Sequence, residues 1–191
     1  MNIIVKKAEL RADIIKLLTA MPEEARRQAS DAIIQRVLAL PEYKKAQTIY
    51  CFVGVGWEVD TRPLLEDALA AGKAVCVPRC EADGRMAAHR IESVDDLQAT
   101  GLFGLPEPCE NCEIVPFEAI DFAVIPCLCA DKNGMRLGRG GGYYDRFMSV
   151  FPGTSATVCY SAALQKQVPT ETHDKQIDCV VTENEIYRAG I

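Results

Sequence analysis

The sequence contains no apolar run as long as a membrane-spanning helix, which needs about 20 consecutive apolar residues. Its first residues, MNIIVKKAELR, continue into charged, helix-like sequence instead of the apolar core that an export signal requires. We therefore expect a cytoplasmic protein that has no membrane partner.

An excess of positive charge is also missing. The 191 residues include 21 Lys and Arg against 27 Asp and Glu, which gives a net charge of −6. Because clustered positive charge drives binding to DNA and RNA, a nucleic acid is not an expected partner. A local basic site for a small phosphate ligand is compatible with this balance.

The length suits one domain, and no linker or internal repeat interrupts it, so we predict a single domain over residues 1–191 and expect a monomer.

A complete zinc motif is absent, although the sequence has nine cysteines. Cys109 and Cys112 form a CxxC, but neither a second CxxC nor an HxxxH accompanies it to supply the remaining ligands. We therefore interpret these two residues as loop thiols. Six others fall in apolar, strand-like runs, where reduced thiols pack as small hydrophobic side chains: Cys51, Cys76, Cys127, Cys129, Cys159 and Cys179.

Apolar periodicity predicts alternating helices and strands. The predicted helices span residues 4–19, the segment from Pro22 to a stop at Pro41, Asp60 or Thr61 to Ala71, and 143–150. The predicted strands span residues 47–53, 73–77 (closed by Pro78), 85–91, 121–126, 154–160 and 178–182. Asp83 and Gly84 indicate a turn, and residues 93–118 a short helix followed by an irregular loop.

This alternation favours a parallel sheet with right-handed crossovers, and we predict a three-layer α/β/α fold whose mostly parallel sheet is Rossmann-like. Ligands of such folds bind at the carboxyl ends of the strands. The loops at 54–58, 127–142 and 161–174 all follow strands and are therefore expected to share one cleft.

The most distinctive stretch is GMRLGRGGGYYDR, residues 134–146. Neither GxxxxGK[ST] nor GxGxxG occurs in it. Its glycines lie between a predicted buried strand and a predicted helix, where backbone N–H groups and a helix N-terminus can bind an anion. Arginines add bidentate phosphate contacts. A glycine-rich surface loop with solvated arginines is the alternative interpretation, and composition alone favours the anion site only about two to one.

The same stretch closely resembles the signature of 5-formyltetrahydrofolate cyclo-ligases, also called 5,10-methenyltetrahydrofolate synthetases. Further segments resemble this family in the same order, and they cover nearly the whole chain: the basic first helix with Lys7 and Arg11, PEYKKAQTIYCFV, EVDT (58–61), GKAVCVPR (72–79), GLPEP (104–108), Gln165 and VPTETHD (168–174). The resemblance implies ATP- and Mg²⁺-dependent closure of 5-formyltetrahydrofolate to 5,10-methenyltetrahydrofolate, with ADP and phosphate released.

The resemblance also implies roles for individual residues. Asp145 and Asp174 would hold Mg²⁺, and the catalytic residues would be Arg136, Arg139 and Tyr143. The ATP site would comprise Lys7, Arg11, Arg136, Leu137, Gly138, Arg139, Gly140, Gly141, Gly142, Tyr143 and Tyr144. The folate site would comprise Val53, Glu58, Arg139, Gly140, Gly141, Gly142 and Tyr143, with Glu58 at the pterin or formyl end.

Some positions depart from the family pattern. Residues 126–131 read PCLCAD, so Cys127 and Ala130 are expected to reshape the pocket floor. Cys129 is interpreted as a packing residue, because the chemistry needs no thiol. Trp57 either stacks on the pterin ring or closes over the core.

Two other functions are compatible with parts of the sequence. An isomerase or acyl-transfer enzyme on a related fold would explain the anion loop but not Lys7, Arg11 and Asp174 together. A non-catalytic nucleotide or folate sensor would keep the phosphate site and could dispense with the two acids.

Overall fold

A computed structural model describes residues 2–81, 85–98 and 104–190 of the chain. Its α helices are α1 (Ile3–Ala20), α2 (Glu23–Ala39), α3 (Pro41–Lys45), α4 (Arg62–Ala70) and α5 (Tyr143–Val150). Short 3-10 helices cover Val94–Asp96, Phe117–Ala119 and Ser161–Ala163. The turn predicted at Asp83 and Gly84 lies outside the described residues.

The strands fall into one large sheet and two small hairpins. The large sheet contains β1 (Thr48–Cys51), β2 (Ala74–Cys80), β3 (Met86–Ile91), β6 (Ile114–Val115), β7 (Phe122–Ile125), β10 (Thr154–Val158), β11 (Cys179–Val181) and β12 (Ile186–Arg188). The hairpins pair β4 (Leu97–Gln98) with β5 (Glu107–Pro108), and β8 (Cys129–Ala130) with β9 (Arg136–Leu137).

The large sheet is parallel at its centre and antiparallel at its edges. Its order is β12-β11-β10-β7-β1-β2-β3-β6. The neighbours from β11 to β2 all run parallel, whereas β12, β3 and β6 pair antiparallel. The prediction of a mostly parallel α/β sheet is confirmed, and the strand–helix–strand unit β1–α4–β2 lies inside it.

Alternate residues of the central strands pack on opposite faces of the sheet, since side chains alternate along a strand. On β1, Ile49 and Cys51 join the core beneath α1 to α4, which also contains Ile33 and Leu64. Tyr50 points to the other face, where a smaller core contains residues of α5 such as Phe147. Helices therefore cover both faces, as a three-layer fold requires.

Several predicted boundaries were wrong. Pro78 does not close β2, because the strand continues to Cys80. The registered pairs between β2 and β1 stop at Cys76, so a residue without an N–H is tolerated beyond that point. The second helix ends just before Pro41, as predicted, but Pro41 then begins α3, which was not predicted. Pro22 is the residue before α2, not a member of its first turn.

The region predicted as a short helix and an irregular loop is more ordered than expected. It contains a 3-10 helix at Val94–Asp96, the hairpin of β4 and β5, and the edge strand β6. Strands of two residues carry no periodicity of their own, which is why sequence patterns missed them. Within the residues described, no helix has the length and apolar character needed to cross a bilayer.

Candidate active site

A cleft of about 660 Å³ opens at the carboxyl ends of β1, β2 and β7. The loops that follow β1 and β7, the loop before β11 and the first turns of α1 all contribute to it. The expectation that the loops at 54–58, 127–142 and 161–174 share one cleft is confirmed by Glu58, Arg139 and Asp174. Every residue assigned to a site from the sequence lines this cleft: Lys7, Arg11, Val53, Glu58, Arg136, Leu137, Gly138, Arg139, Gly140, Gly141, Gly142, Tyr143, Tyr144, Asp145 and Asp174.

The glycine run leads directly into the N-terminus of α5. Gly142 precedes the helix with φ +67°, and Gly140 has φ +100°, both in the left-handed region that side chains disfavour. A Cβ at Gly140 would also lie 3.5 Å from the Arg11 guanidinium. The first N–H groups of a helix have no partners inside it, so this arrangement directs backbone donors into the cleft.

Arg136 is a buried cation beside these glycines. It lies on β9, only 7% exposed, and its Nη2 donates to Oδ1 of Asp145 at 2.8 Å. Asp145 in turn is in the first turn of α5. Among the residues described, Arg136 Nε is buried and has no hydrogen-bond partner. A buried donor without an acceptor is costly, so this geometry favours an anionic ligand in the cleft.

Lys7 connects α1 to the loop that precedes β11. Its Nζ donates to Glu171 Oε2 at 2.9 Å and to Asp174 Oδ2 at 2.5 Å. Burial alone would lower the pKa of Lys7, but the hydrogen bonds and charges of the two acids outweigh it and raise that pKa. Burial would raise the pKa of Asp174, yet the bonds from Lys7 and the Glu171 N–H lower it. Lys7 is thus a buried ion-pair member, contrary to the alternative of a solvated basic edge.

Two arginines join the glycine run to other parts of the cleft. Arg11 Nε donates to the Gly138 carbonyl oxygen at 2.9 Å. Arg139 Nη2 donates to Glu58 Oε1 at 2.7 Å, and its guanidinium lies 4.9 Å from the centre of the Trp57 ring. Trp57 packs against the main core and does not line the large cleft. The structure therefore favours the interpretation of Trp57 as a residue that closes over the core.

The two tyrosines after the glycines have different surroundings. The Arg146 guanidinium lies over the ring of Tyr143, 5.1 Å from the centre of that ring. Tyr144 packs edge-on against Tyr50 with ring centres 6.5 Å apart, and burial raises the pKa of its hydroxyl. Tyr144 therefore stays neutral at physiological pH.

The cysteines separate into packing residues and one cleft residue. Five of the six expected in the core are buried, but Cys127 is only partly buried and lines the cleft, where its Sγ donates to the Val158 carbonyl at 3.4 Å. Burial raises the pKa of the Cys129 thiol to about 12, as expected for a packing residue. The Sγ atoms of Cys109 and Cys112 lie 2.8 Å apart.

Sequence reasoning missed part of the cleft. The additional lining residues are Ile4, Phe52, Pro78, Cys80, Met86, Leu105, Pro106, Glu107, Pro126, Leu128, Glu171 and His173. Most of them are apolar, and one group lies where β2 ends and β5 begins: Pro78, Cys80, Met86, Leu105, Pro106 and Glu107. The extension of β2 past Pro78 brings this group into the cleft, and the misplaced strand end concealed it. Of the two residues expected at the pocket floor, Cys127 lines the cleft, whereas Ala130 is fully buried on β8 and is not among the lining residues.

The donor set suits a magnesium–nucleotide complex better than a metal held by protein alone. In the described part of the chain, no group of three or more His, Cys, Asp or Glu is placed to hold a metal. Mg²⁺ in nucleotide sites takes one or two carboxylates together with phosphate oxygens and water. Asp145 and Asp174 fit this requirement, since Arg136 and Lys7 each engage one oxygen of their partner carboxylate.

Comparison with known proteins shows related sequences along almost the whole chain. Residues 3–183 match the model of the 5-formyltetrahydrofolate cyclo-ligase family. A relative from Mus musculus named 5-formyltetrahydrofolate cyclo-ligase is 29% identical, and the match covers 93% of this chain and 94% of that protein.

Solved structures show the same architecture. The NMR structure of Aquifex aeolicus 5,10-methenyltetrahydrofolate synthetase superposes with a TM-score of 0.87 at 33% identity, covering 97% of this chain and 93% of that one. A 5,10-methenyltetrahydrofolate synthetase from Mycoplasma pneumoniae shares the fold with a TM-score of 0.75 at 20% identity, covering 93% and 98% of the two chains.

Proposed function

The chain belongs to the 5-formyltetrahydrofolate cyclo-ligase family, and we propose that it uses ATP to convert 5-formyltetrahydrofolate to 5,10-methenyltetrahydrofolate. The observation that carries this proposal is the buried Arg136 with its unpaired Nε beside the glycine run. Such a donor set suits a polyphosphate that has to be held while its terminal group moves.

The proposed reaction has two steps. The oxygen of the N5-formyl group is a poor leaving group, so it first takes the γ-phosphoryl group of ATP, and ADP is released. The N10 nitrogen then attacks the activated carbon, the carbon–oxygen bond breaks to release phosphate, and N10 loses its proton. Both steps depend mainly on positioning and on neutralising negative charge.

We assign the phosphate contacts to residues that already surround the glycine run. Lys7 and Arg11 on α1, with Arg136 and the N–H groups of Gly138 to Gly142, would bind the triphosphate. Arg139 would leave its contact with Glu58 to neutralise charge on the transferring group. Mg²⁺, held by Asp145 and Asp174, would supply charge neutralisation between the phosphates.

The folate would occupy the rest of the cleft. Glu58 lies at the end of the loop after β1, its carboxylate fixed by Arg139 and by the N–H of Val55 at 3.1 Å. It would face the formyl end. Val53, Leu137, Tyr143 and Tyr144 would contribute apolar and aromatic walls. We further propose a single-domain, cytoplasmic monomer that has no nucleic-acid or membrane partner.

One mixing experiment tests the proposed function. Purified protein receives Mg²⁺, ATP and 5-formyltetrahydrofolate, and the near-ultraviolet absorbance of the methenyl product is followed, with ATP omitted in one control and Mg²⁺ in another. A rise that needs all three components is expected. Absence of a rise in a protein that still binds ATP would refute the enzyme and favour the non-catalytic sensor.

Replacing Asp145 by Asn should raise the Mg²⁺ concentration needed for half-maximal rate. In the wild type, Arg136 Nη2 donates a hydrogen bond of 2.8 Å to the Asp145 carboxylate. The asparagine amide oxygen can still accept this bond, so we expect the local fold to be retained while the negative charge is lost. We expect a shift of about tenfold or more, by analogy with the loss of groups that support metal sites. Asp31→Asn, at an exposed pair with Arg27, is the matched control. An unchanged Mg²⁺ titration of D145N would exclude Asp145 from the metal site.

A further inference from the structure

Glu107 is a buried carboxylate in the cleft that the proposed chemistry does not use. The residue is only 6% exposed, and its Oε1 accepts the Cys80 N–H at 3.1 Å. Within the part of the chain that the structure describes, it makes no ion pair with Lys, Arg or His. Burying a carboxylate is unfavourable unless donors or a cation compensate it, and the N–H and thiol of Cys80 together satisfy only part of its acceptor capacity.

Glu107 lies at the opposite end of the cleft from the phosphate-binding groups. It is on β5, fixed by the pairing of Glu107 with Gln98 on β4, and lies beside the end of β2. In the sheet, β1 separates β2 from β7, whose loop carries the arginines and glycines. At a strand spacing of about 4.8 Å, the two spacings from β2 to β7 place the two ends roughly 10 Å apart.

The surroundings of Glu107 are apolar. Pro78, Met86, Leu105 and Pro106 line the same end of the cleft. This end of the cleft would suit a flat ring that has hydrogen-bond donors on one edge. The apolar side chains would cover the faces of the ring, and the Glu107 carboxylate would accept hydrogen bonds from the donors on its edge.

We infer that Glu107 binds the edge of the reduced pterin that carries N3–H and the 2-amino group; this inference rests on the proposed function. Those two N–H groups lie side by side, and a carboxylate accepts such a pair with both oxygens. Adenine presents its amino group next to a ring nitrogen that is an acceptor, which a carboxylate would repel. Glu107 therefore selects the pterin for this end of the cleft and leaves the arginine end to ATP.

Along the sheet, the acidic and basic groups of the cleft lie in the same spatial order as the parts of the two substrates that they would contact. Glu107 lies beside β2, Glu58 follows β1, Arg136 follows β7, and Asp174 is on the loop that follows β10. With the pterin edge on Glu107, the N5-formyl group would face Glu58 and the γ-phosphate would face Arg136. Glu107 is in this sense a binding and positioning residue for the folate.

The inference is tested with Glu107→Gln and by equilibrium binding. Calorimetric titration with 5-formyltetrahydrofolate, without ATP, should show affinity reduced by about tenfold to a hundredfold, because the amide offers one acceptor and one donor to two donors. Affinity for ATP with Mg²⁺ should be unchanged. Glu110→Gln, an exposed residue nearby whose side chain is 85% accessible, should bind both ligands as the wild type does.

A second measurement changes the ligand as well as the protein. A 5-formyltetrahydrofolate analogue with hydrogen in place of the 2-amino group should bind the wild type about tenfold or more weakly than the parent compound, whereas E107Q should distinguish the two much less. Equal binding of both compounds to the wild type would overturn the inference, as would equal losses of folate and ATP affinity in E107Q. A wild type that binds the folate but produces no methenyl compound would refute the proposed function alone.

Discussion

Replacing Arg136 by lysine is expected to raise the KM for ATP by about tenfold to a hundredfold while the fold is retained. The lysine keeps the positive charge and can still pair with Asp145, but it lacks the planar fork of donors. Arg136 Nε is buried without a partner in the described structure, so we expect it to donate to a phosphate oxygen. Loss of one charged hydrogen bond, about 1.5–3 kcal/mol, corresponds to that change in KM.

The measurement is the initial rate of methenyl formation as a function of ATP and, separately, of folate concentration. Arg62→Lys serves as the control, since Arg62 lies on the exposed face of α4 and pairs with Glu66 at 3.1 Å. The KM for folate should change little in R136K. An unchanged KM for ATP, or an equal rise in both KM values with a lower urea midpoint, would contradict the assignment.

Local patterns were sufficient to predict the centre of the fold. The strands around Ile49, Val75 and Val124 are continuous apolar runs because both faces are covered by helices, and such runs are recognisable without a partner. Helices α1 and α2 were predicted from apolar spacing, and α4 from its capping residue and the glycine that follows it. The features that were missed, such as β12 and the hairpin of β8 and β9, are strands of only two or three residues, which are too short to show a periodicity of their own.

The sequence predicted which residues form the site more fully than it predicted the contacts between them. The glycine run and its arginines are contiguous in sequence, so a motif could reveal them. The bond between Lys7 and Asp174 joins residues 167 positions apart, and no periodicity connects them. Glu107 was overlooked because its burial also depends on a contact between distant segments. A single acid in a proline-rich stretch resembles a solvated loop residue, and only the packing of β5 beside the end of β2 buries it.

Replacing Lys7 by methionine should have the largest effect on both stability and ATP binding. Lys7 is 6% exposed, and its removal leaves Glu171 and Asp174 facing each other without a cation. Breaking one member of a buried ion pair costs on the order of 3 kcal/mol. The free energy of urea unfolding should fall by about that amount, and ATP affinity should fall with it. Lys16→Met, at an exposed position on the same helix, should leave both unchanged.

The pH dependence of this difference follows from the pKa shifts of the two partners. Lys7 has its pKa raised above 10.5 in the folded state, so its contribution to stability is complete below pH 10.5 and is lost as the pH rises through the folded value. Asp174 has its pKa lowered below 3.8, so its contribution is complete above pH 3.8 and is lost as the pH falls through the folded value. The difference in unfolding free energy between wild type and K7M should therefore be nearly constant at intermediate pH and decline below pH 3.8. A difference that persists undiminished in acid would mean that the effect of K7M does not come from loss of the ion pair between Lys7 and Asp174.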